Sequence, residues 1–485
     1  MRTLVLLLLV AVVPVAAQDL GETEFANTGA EEAQEPFLRG LLLLHSFEYD
    51  DAREAFQEAR RIDPDFAMAA WGEAMTHNHP VWMQQDRDAA LEALDGVDAM
   101  PASARERAYL ATLDALYRGD ASKEDRDDAY AEAMRQLAAA YPDDLDARAF
   151  HALSVLGTAH EGRDFTTYMT AAAVAEEVFD ENPQHPGAAH YLIHAYDDPV
   201  HAPLGLRPAR VYAEVAPAAS HALHMPSHIY LALGMWEDVE RMNRRSYAAA
   251  KAGTDRRGEP LNGHGWHALW WWHYAADQLQ DQPLADSLYA LAEAHYAEDS
   301  ASYTPLAHVV RIRAQQQPSN EADPILSHEP PDTQSLSTLA IDALARGERL
   351  ADTEGSAAAR PVLAALQAAI AADDDPGWQA RASALQLEAY LDLLDGDPDR
   401  ALDLVREAAA LEAAAPLTFG PPTPTTPAHE FLGLLLLEYG DDPAEAAEAY
   451  RTSLSRAPNR RQSAYGLERA QRAVERAAQE AGDSR

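Results

Sequence analysis

Small and apolar residues recur at regular intervals through Phe37–Phe66, and their spacing predicts a pair of helices. Counted from Gly40, the recurring positions are Leu43, Ala52, Phe56, Ala59 and Pro64. In such a pair, Gly40 lets the two helices approach closely and Phe56 fills the space between them. Pro64 ends the second helix, because proline cannot donate a backbone hydrogen bond and clashes with the preceding turn.

Two similar helix pairs are predicted nearer the C-terminus. One runs through Gly433, Ala446, Tyr450, Ser453 and Pro458, with one extra residue in the turn Gly440-Asp441-Asp442. The other runs through Ala389, Ala401, Val405 and Ala408, with a turn at Gly396-Asp397-Pro398. Asp392 occupies a place in this pair where an apolar residue is expected. Weaker, stretched copies in the middle of the chain are marked by prolines at predicted helix ends, namely Pro142, Pro183 and Pro217.

These offsets resemble those of the tetratricopeptide-repeat (TPR) family, most clearly at the two ends of the chain. The resemblance implies an all-α fold, a right-handed solenoid of antiparallel helix pairs in which stacking provides the core. From Leu38 to the end, the chain also resembles a group of exported bacterial TPR proteins of unassigned function, above all in Ala189–His201 and His221–Asp238. That likeness implies a shared histidine-rich centre but no reaction.

Proline-rich stretches divide the predicted repeats. We expect N-terminal repeats in 18–316, a proline-rich acidic linker in 317–334 and C-terminal repeats in 335–485. A second irregular stretch, Pro416–Pro427, carries five prolines in twelve residues and predicts an extended segment. This segment is either a spacer between helices or a segment that folds back into the groove of the solenoid.

The N-terminus predicts export from the cytoplasm. Arg2 precedes an apolar run, Leu4–Val13, and small residues at Val15-Ala16-Ala17 predict a cleavage site before Gln18. We therefore expect residues 1–17 to be a signal peptide and the mature chain to be periplasmic or extracellular. The apolar run is too short to span a bilayer, and no later stretch is long enough.

Composition narrows the classes of function. The formal charge of -41 argues against a nucleic-acid binder that neutralises phosphates, and it favours basic or cationic partners. The absence of cysteine excludes disulfides, thiol catalysis and cysteine-ligated metal clusters. An acidic surface with only two lysines, Lys123 and Lys251, fits either adaptation to high salt or a GC-rich genome.

Histidines are concentrated in one part of the chain, with ten of the nineteen between His185 and His273. His190 and His194 stand four residues apart, and so do His224 and His228. Imidazoles at this spacing share one face of a helix and can chelate zinc or copper. These four histidines are the predicted metal ligands.

Three further residues are candidates for the same metal site, namely His221, Asp197 and His201. The carboxylate of Asp197 can act as a ligand or accept a hydrogen bond from an imidazole N–H group. The alternative is that the histidines only form hydrogen bonds to neighbouring helices. Pro226 can also disturb the helical spacing of His224 and His228.

An aromatic stretch, Asn262–Tyr274, predicts one more helix near this centre, with Asn262 as its N-cap. One face is expected to pack in the core and the other to extend a ligand-binding groove. The predicted groove residues, which include two histidines of earlier helices, are His45, His79, His264, His267 and Trp271.

No catalytic signature is present, so a non-enzymatic function is favoured. The leading interpretation is an exported TPR scaffold that binds a peptide, protein or other ligand in its concave groove. The alternative is a metal-binding protein or metal-dependent enzyme that uses zinc or copper at the central histidines. A third interpretation is a self-assembling structural protein, and the oligomeric state is left open.

Overall fold

The computed structural model describes residues 19–318, 323–440 and 442–483. The predicted signal peptide, residues 1–17, lies outside this part of the chain, as do Asp441 and four residues of the predicted linker. No helix among the described residues is long and apolar enough to cross a membrane.

The described residues form helices almost throughout. The first half contains α1 (Gln34–His45), α2 (Tyr49–Ile62), α3 (Ala67–Met75), α4 (Arg87–Ala93), α5 (Ala104–Tyr117), α6 (Lys123–Ala140), α7 (Leu145–Leu156), α8 (Phe165–Glu181), α9 (Pro186–Tyr196), α10 (Ala202–Val215), α11 (Ser220–His224) and α12 (Pro226–Ala232). A short hairpin of two antiparallel strands, each of two residues, follows α3: β1 (Asn78–His79) and β2 (Gln84–Gln85). The prediction of an all-α fold is therefore confirmed, apart from this short hairpin.

The second half is built in the same way. It contains α13 (Trp236–Arg257), α14 (Gly263–Leu279), α15 (Gln282–Glu298), α16 (Tyr303–Gln315), α17 (Leu336–Glu354), α18 (Ser356–Ala372), α19 (Gly377–Leu394), α20 (Pro398–Ala414), α21 (Ala428–Tyr439), α22 (Pro443–Arg456) and α23 (Arg461–Asp483). The predicted N-cap of α14 is confirmed, since the side chain of Asn262 accepts a hydrogen bond from the Gly265 N–H.

The chain forms two compact units. The first unit comprises the described part of Met1–His160 together with Thr170–Tyr191 and Glu214–Ala219. The second unit comprises the remaining described residues, most of them in Ser220–Arg485. The described parts of 317–334 are non-helical, and α16 and α17 on either side of them both belong to the second unit.

In the first unit, the predicted contact of the first helix pair is present. A Cβ atom at Gly40 would lie 2.9 Å from the Phe56 ring, so only glycine allows this approach of α1 and α2. The same ring closes against Gly72 on α3, where a Cβ would lie 2.4 Å from it. Phe56 thus packs between two glycines of successive repeats.

The second unit repeats this arrangement near the C-terminus. The ring of Tyr450 packs between Gly433 on α21 and Gly466 on α23, where added Cβ atoms would lie 2.8 and 2.1 Å from it. The prediction of stacked helix pairs of the TPR type is therefore confirmed at both ends of the chain. The stacking of pairs buries the apolar face that a single pair leaves exposed.

Asp392, the exception in the third helix pair, is accommodated by ion pairs. Its carboxylate accepts hydrogen bonds from Arg400 at 2.7 Å and from Arg360 at 3.2 Å. Leu391, the next residue toward the N-terminus, is fully buried instead. A polar residue is therefore tolerated at this repeat position because neighbouring helices supply two guanidinium groups.

The proline-rich segment, residues 416–427, packs back onto helices of the second unit. A Cβ at Gly420 would lie 2.6 Å from the Trp271 ring of α14, which shows how closely the backbone approaches. Gln386 donates a hydrogen bond to the Thr426 carbonyl and Arg460 to the Thr425 carbonyl. The segment is therefore more than a spacer, because it contacts helices of the second unit.

Candidate functional site

The histidines of the second unit meet where α11, α12 and α14 approach one another. His224 ends α11, and Pro226 begins α12 as its first residue, a position that tolerates proline. His228 lies on the first turn of α12. Pro226 therefore divides the predicted helix in two, but the imidazoles of His224 and His228 still face each other.

Three imidazoles form the histidine triad, which we define as His224, His228 and His267. The Nε2 atoms of His224 and His228 lie 3.0 Å apart. One nitrogen of each of the three rings lies within 4.8 Å of the other two. His224 and His228 are almost completely buried, whereas His267 is partly exposed.

The opposite nitrogens of two triad members are held by oxygen atoms. His228 Nδ1 lies 2.6 Å from Asp197 Oδ2, and His224 Nδ1 lies 2.7 Å from Asn243 Oδ1. The Asn243 amide group donates to the Val239 carbonyl, so its oxygen is the atom that faces His224. Because carboxylate and amide oxygens only accept hydrogen bonds, both histidines carry their proton on Nδ1.

This assignment leaves two acceptors facing each other. In their neutral forms, His224 and His228 both point an Nε2 lone pair into the same 3.0 Å gap. Burial, reinforced by the neighbouring His228, holds the pKa of His224 well below its usual value, which disfavours a proton on its Nε2. Burial also lowers the pKa of His267 well below its usual value.

Trp271 forms one wall of the histidine triad. Its ring centroid lies 4.7 Å from that of His224, 4.5 Å from that of His228 and 5.3 Å from that of His267. The same ring also lies close to the backbone at Gly420 of the proline-rich segment. Trp271 therefore links the triad to the segment that folds over it.

Three more predicted histidines of the second unit lie beside the triad. The ring of His194 lies 6.2 Å from that of His228 and 6.3 Å from that of His221. The ring of His264 lies 5.0 Å from that of His221. His264 is close enough to lower the pKa of His224 further, although burial is the larger cause.

His190 belongs to the first unit, whereas the other three predicted ligands belong to the second. It is completely buried, and its Nδ1 donates a 2.7 Å hydrogen bond to the carbonyl of His45. Within the second unit, the structure brings together the predicted ligands His224 and His228 and adds His267, which the sequence predicted only as a groove residue.

Asp197 accepts a hydrogen bond from an imidazole, as the sequence allowed, and its neighbour Asp198 does so too. Asp197 holds His228, whereas Asp198 Oδ2 accepts from His201 Nδ1 at 2.8 Å and from Arg163 at 2.7 Å. His201 is therefore engaged in a separate ion-paired cluster and does not join the triad.

A second cluster, fully buried in the first unit, consists of His45, Asp146 and His185. His45 Nε2 lies 2.8 Å from Asp146 Oδ1, and His185 Nε2 lies 3.4 Å from the same oxygen. His45 Nδ1 accepts from the Tyr191 hydroxyl at 2.9 Å, and His185 Nδ1 accepts from the Ala188 N–H at 3.2 Å. Both nitrogens of His45 are hydrogen-bonded in this cluster, whereas His185 Nε2 makes only the longer approach to Asp146.

The first-unit cluster corrects the expected position of His45. The residue does not line an open groove, because its ring is completely buried between Asp146 and Tyr191. Burial lowers the pKa of His45 to about 4, although the hydrogen bond to Asp146 opposes this. His79 was expected on a helix but lies on β1, where its ring stacks on Tyr49 at 3.9 Å.

Sequence reasoning missed Asn243, Asp146 and His185 as partners of these imidazoles. Asn243 and Asp146 lie on helices far from their partners in the chain, and neither belongs to a motif. A signal for His267 was available, since it stands three residues after His264 on the predicted aromatic helix. Only the tertiary structure shows which face of that helix meets His224.

Comparison with known proteins concerns the fold alone. No protein-family model matches the chain, and no curated protein matches it in sequence. Among solved structures, it is similar to yeast Tom70, with 12% identity and a TM-score of 0.39 over 92% of this chain and 90% of that one. It is similar to the P58(IPK) TPR domain, with 15% identity and a TM-score of 0.22 over 92% and 99%. It is also similar to human IFIT1, solved as a dimer with m7Gppp-AAAA, with 12% identity and a TM-score of 0.37 over 94% and 84%.

The glycine–aromatic packing and the succession of helix pairs make the chain a TPR-like all-α protein in its fold. Within this fold, the histidine triad is the site that the geometry sets apart chemically.

Proposed function

We propose that the second unit binds a transition-metal ion, zinc or copper, at His224, His228 and His267. The supporting observation is the pair of Nε2 atoms 3.0 Å apart whose protons are committed to the opposite nitrogens. A cation between the rings replaces the repulsion of two lone pairs with two coordinate bonds.

The surroundings of the triad also suit a metal. Metal-binding histidines usually donate their other N–H to a carboxylate, carbonyl or amide oxygen, and Asp197 and Asn243 accept these bonds here. Zinc–nitrogen bonds of about 2.0–2.1 Å place tetrahedral ligand atoms about 3.3 Å apart. The three donor atoms all lie within 4.8 Å of one another. A small movement of His267 toward the other two rings would bring them to the tetrahedral spacing.

Three protein ligands leave a coordination position for water or another ligand, which is the arrangement of catalytic zinc sites. The metal-dependent-enzyme alternative rests on that position. The peptide- or protein-binding groove and export to the periplasm or outside the cell remain predictions from sequence, and they are compatible with a metal site.

Metal titration tests this proposal. Chelator-treated protein is titrated with zinc and with copper by isothermal calorimetry, and we expect one equivalent to bind. His228→Gln and His267→Gln should each weaken binding by at least the ~100-fold that loss of an outer hydrogen-bond partner can cause. His160→Gln is the matched control, because His160 bonds Asp128 in the first unit, away from the triad residues in the chain.

Substituting a hydrogen-bond partner of the triad provides a second test of the metal proposal. Asn243→Leu removes the acceptor of the His224 N–H and should weaken zinc binding about 10- to 100-fold, whereas Asn243→Asp retains an acceptor and should bind zinc well. Equal zinc affinity for the wild type, His228→Gln and His267→Gln would refute the proposed ligands. A circular-dichroism melt of each variant separates lost binding from lost folding.

A further inference from the structure

A partly open cavity lies in the second unit beneath the proline-rich segment. Its aromatic lining comes from three helices, Trp236 on α13, Tyr274 on α14 and Trp378 on α19. Residues of the proline-rich segment, among them Leu417 and Pro422, line the opposite side. The cavity is thus bounded by apolar surface on two sides.

Two buried carboxylates also line this cavity, Asp197 and Glu412, each 5% exposed. Each has one oxygen held by a histidine. Asp197 Oδ2 bonds His228 Nδ1 at 2.6 Å, and Glu412 Oε2 bonds both the side chain and the backbone N–H of His429, at 2.6 and 3.0 Å.

The second oxygen of each carboxylate is not engaged. Among the described residues, no hydrogen bond reaches Asp197 Oδ1 or Glu412 Oε1. Neither oxygen is completely buried, so each can accept a hydrogen bond from water or from a ligand. Two carboxylates with an unengaged oxygen therefore line one cavity and offer acceptors to a ligand that carries several N–H groups.

The other charged groups of the lining are already satisfied. Asp198 accepts from Arg163, from the His201 side chain and from the backbone N–H of Val200. Arg456 donates to the carbonyls of Ala415 and Pro416, and no ion pair within the described residues joins it to Asp197 or Glu412.

We propose that this cavity binds an organic ammonium ion. Its N–H groups donate to Asp197 Oδ1 and Glu412 Oε1, and its carbon skeleton packs against Trp236, Tyr274 and Trp378. Carboxylates accept but never donate, which excludes an anionic ligand at these atoms, and aromatic rings attract organic cations. A hard metal ion is less suited, because it requires six or more oxygen ligands.

The ammonium site adjoins the histidine triad through a shared residue. One oxygen of Asp197 bonds His228, and the same residue lines the cavity. The two sites therefore share this carboxylate. The ammonium proposal does not depend on a metal, since Glu412 has no contact with the triad histidines among its hydrogen bonds.

Calorimetry with n-butylamine hydrochloride on the chelator-treated full chain tests the proposal. We expect one equivalent of n-butylammonium to bind saturably, and n-butanol, which has the same length but no charge, not to compete. Glu412→Gln should weaken binding by about tenfold or more, because it removes the charge that faces the ammonium group. Glu407→Gln on the same helix, at an exposed position, should change nothing.

Each other outcome overturns the ammonium assignment. Competition by n-butanol would indicate an apolar cavity that does not recognise the charge. Displacement of butylammonium by calcium at equal concentration would indicate a metal site. Unchanged binding in a Glu412→Gln variant that melts like the wild type would remove Glu412 from the site. Zinc binding is measured on the same variant and is expected to be retained, so failure of this proposal and failure of the metal proposal are distinguishable.

Discussion

At the scale of single residues, the two histidine clusters differ in how their protons are placed. In the first unit, His45 and His185 direct N–H groups to one carboxylate, Asp146, and every nitrogen that accepts has a donor. Hydrogen bonds from both histidines outweigh burial and keep the pKa of Asp146 below its usual value. In the second unit, His224 and His228 direct lone pairs at each other. The first arrangement places a carboxylate opposite the N–H groups, and the second is the one that we propose to hold a cation.

The first arrangement predicts that stability depends on pH. The folded protein keeps His45 neutral down to its pKa of about 4, whereas the unfolded chain takes up a proton near 6.5. Between these values the unfolded state binds more protons, so the free energy of unfolding falls as pH falls. His45 alone should contribute a slope of about 1.4 kcal/mol per pH unit.

Urea unfolding of chelator-treated protein at several pH values between 7.5 and 4.5 measures this slope. In His45→Gln, whose amide can still donate to Asp146, the slope should be shallower by about that amount. His160→Gln controls for the loss of an imidazole as such. Parallel curves for His45→Gln and the wild type would contradict the assignment.

At the scale of helices, the repeat depends on glycines that allow aromatic rings to pack between successive pairs. Phe56 and Tyr450 fill equivalent places, each between two glycines. Gly40 and Gly433 were identified from their offsets, whereas Gly72 and Gly466 in the following repeats were not. Their role depends on stacking between repeats, which the offsets within one repeat do not contain.

This packing predicts opposite effects for glycine-to-alanine changes in the second unit. Gly433→Ala and Gly466→Ala introduce a Cβ within 2.8 and 2.1 Å of Tyr450, and each should lower the free energy of unfolding. We expect a loss of about 1–3 kcal/mol, the usual cost of overpacking. Gly253→Ala in α13 is the matched control, because only the end of Arg256 lies within 4 Å of its new Cβ.

The control should gain about 1 kcal/mol, since alanine favours a helix over glycine. Urea unfolding of the three variants gives the comparison. If Gly466→Ala stabilised the protein, the Tyr450 ring would be able to shift without cost. The packing of this ring would then not be what holds the successive helix pairs together.

At the scale of the whole chain, the dominant property is charge. The chain has 79 acidic against 38 basic residues, a formal charge of -41. Exposed ion pairs such as Arg406–Glu445 offset only part of the repulsion among the acidic side chains, and each contributes little in water. Screening by salt should therefore favour the compact state.

We predict that the free energy of unfolding rises by about 1–3 kcal/mol between about 0.05 and 0.5 M NaCl. Over this range the Debye length shortens from about 14 to about 4 Å, so repulsion between distant carboxylates is lost first. Urea midpoints at the two salt concentrations measure the change, and KCl at equal ionic strength tests whether screening alone is responsible. A urea midpoint that stays constant or falls would show that repulsion among the acidic side chains does not destabilise the folded state.

The sequence by itself determined the helix-pair architecture, the glycine–aromatic contacts within a pair and the region where the histidines collect. These features are local, since they depend on residues within about one repeat length of each other. The tertiary structure alone decided that His267 joins His224 and His228, and that Asn243 and Asp197 hold their outer nitrogens. It also decided that the proline-rich segment closes over Trp271. The physical reason is that the direction of a side chain toward a distant helix follows from how the pairs pack, and this is not encoded in spacing along the chain.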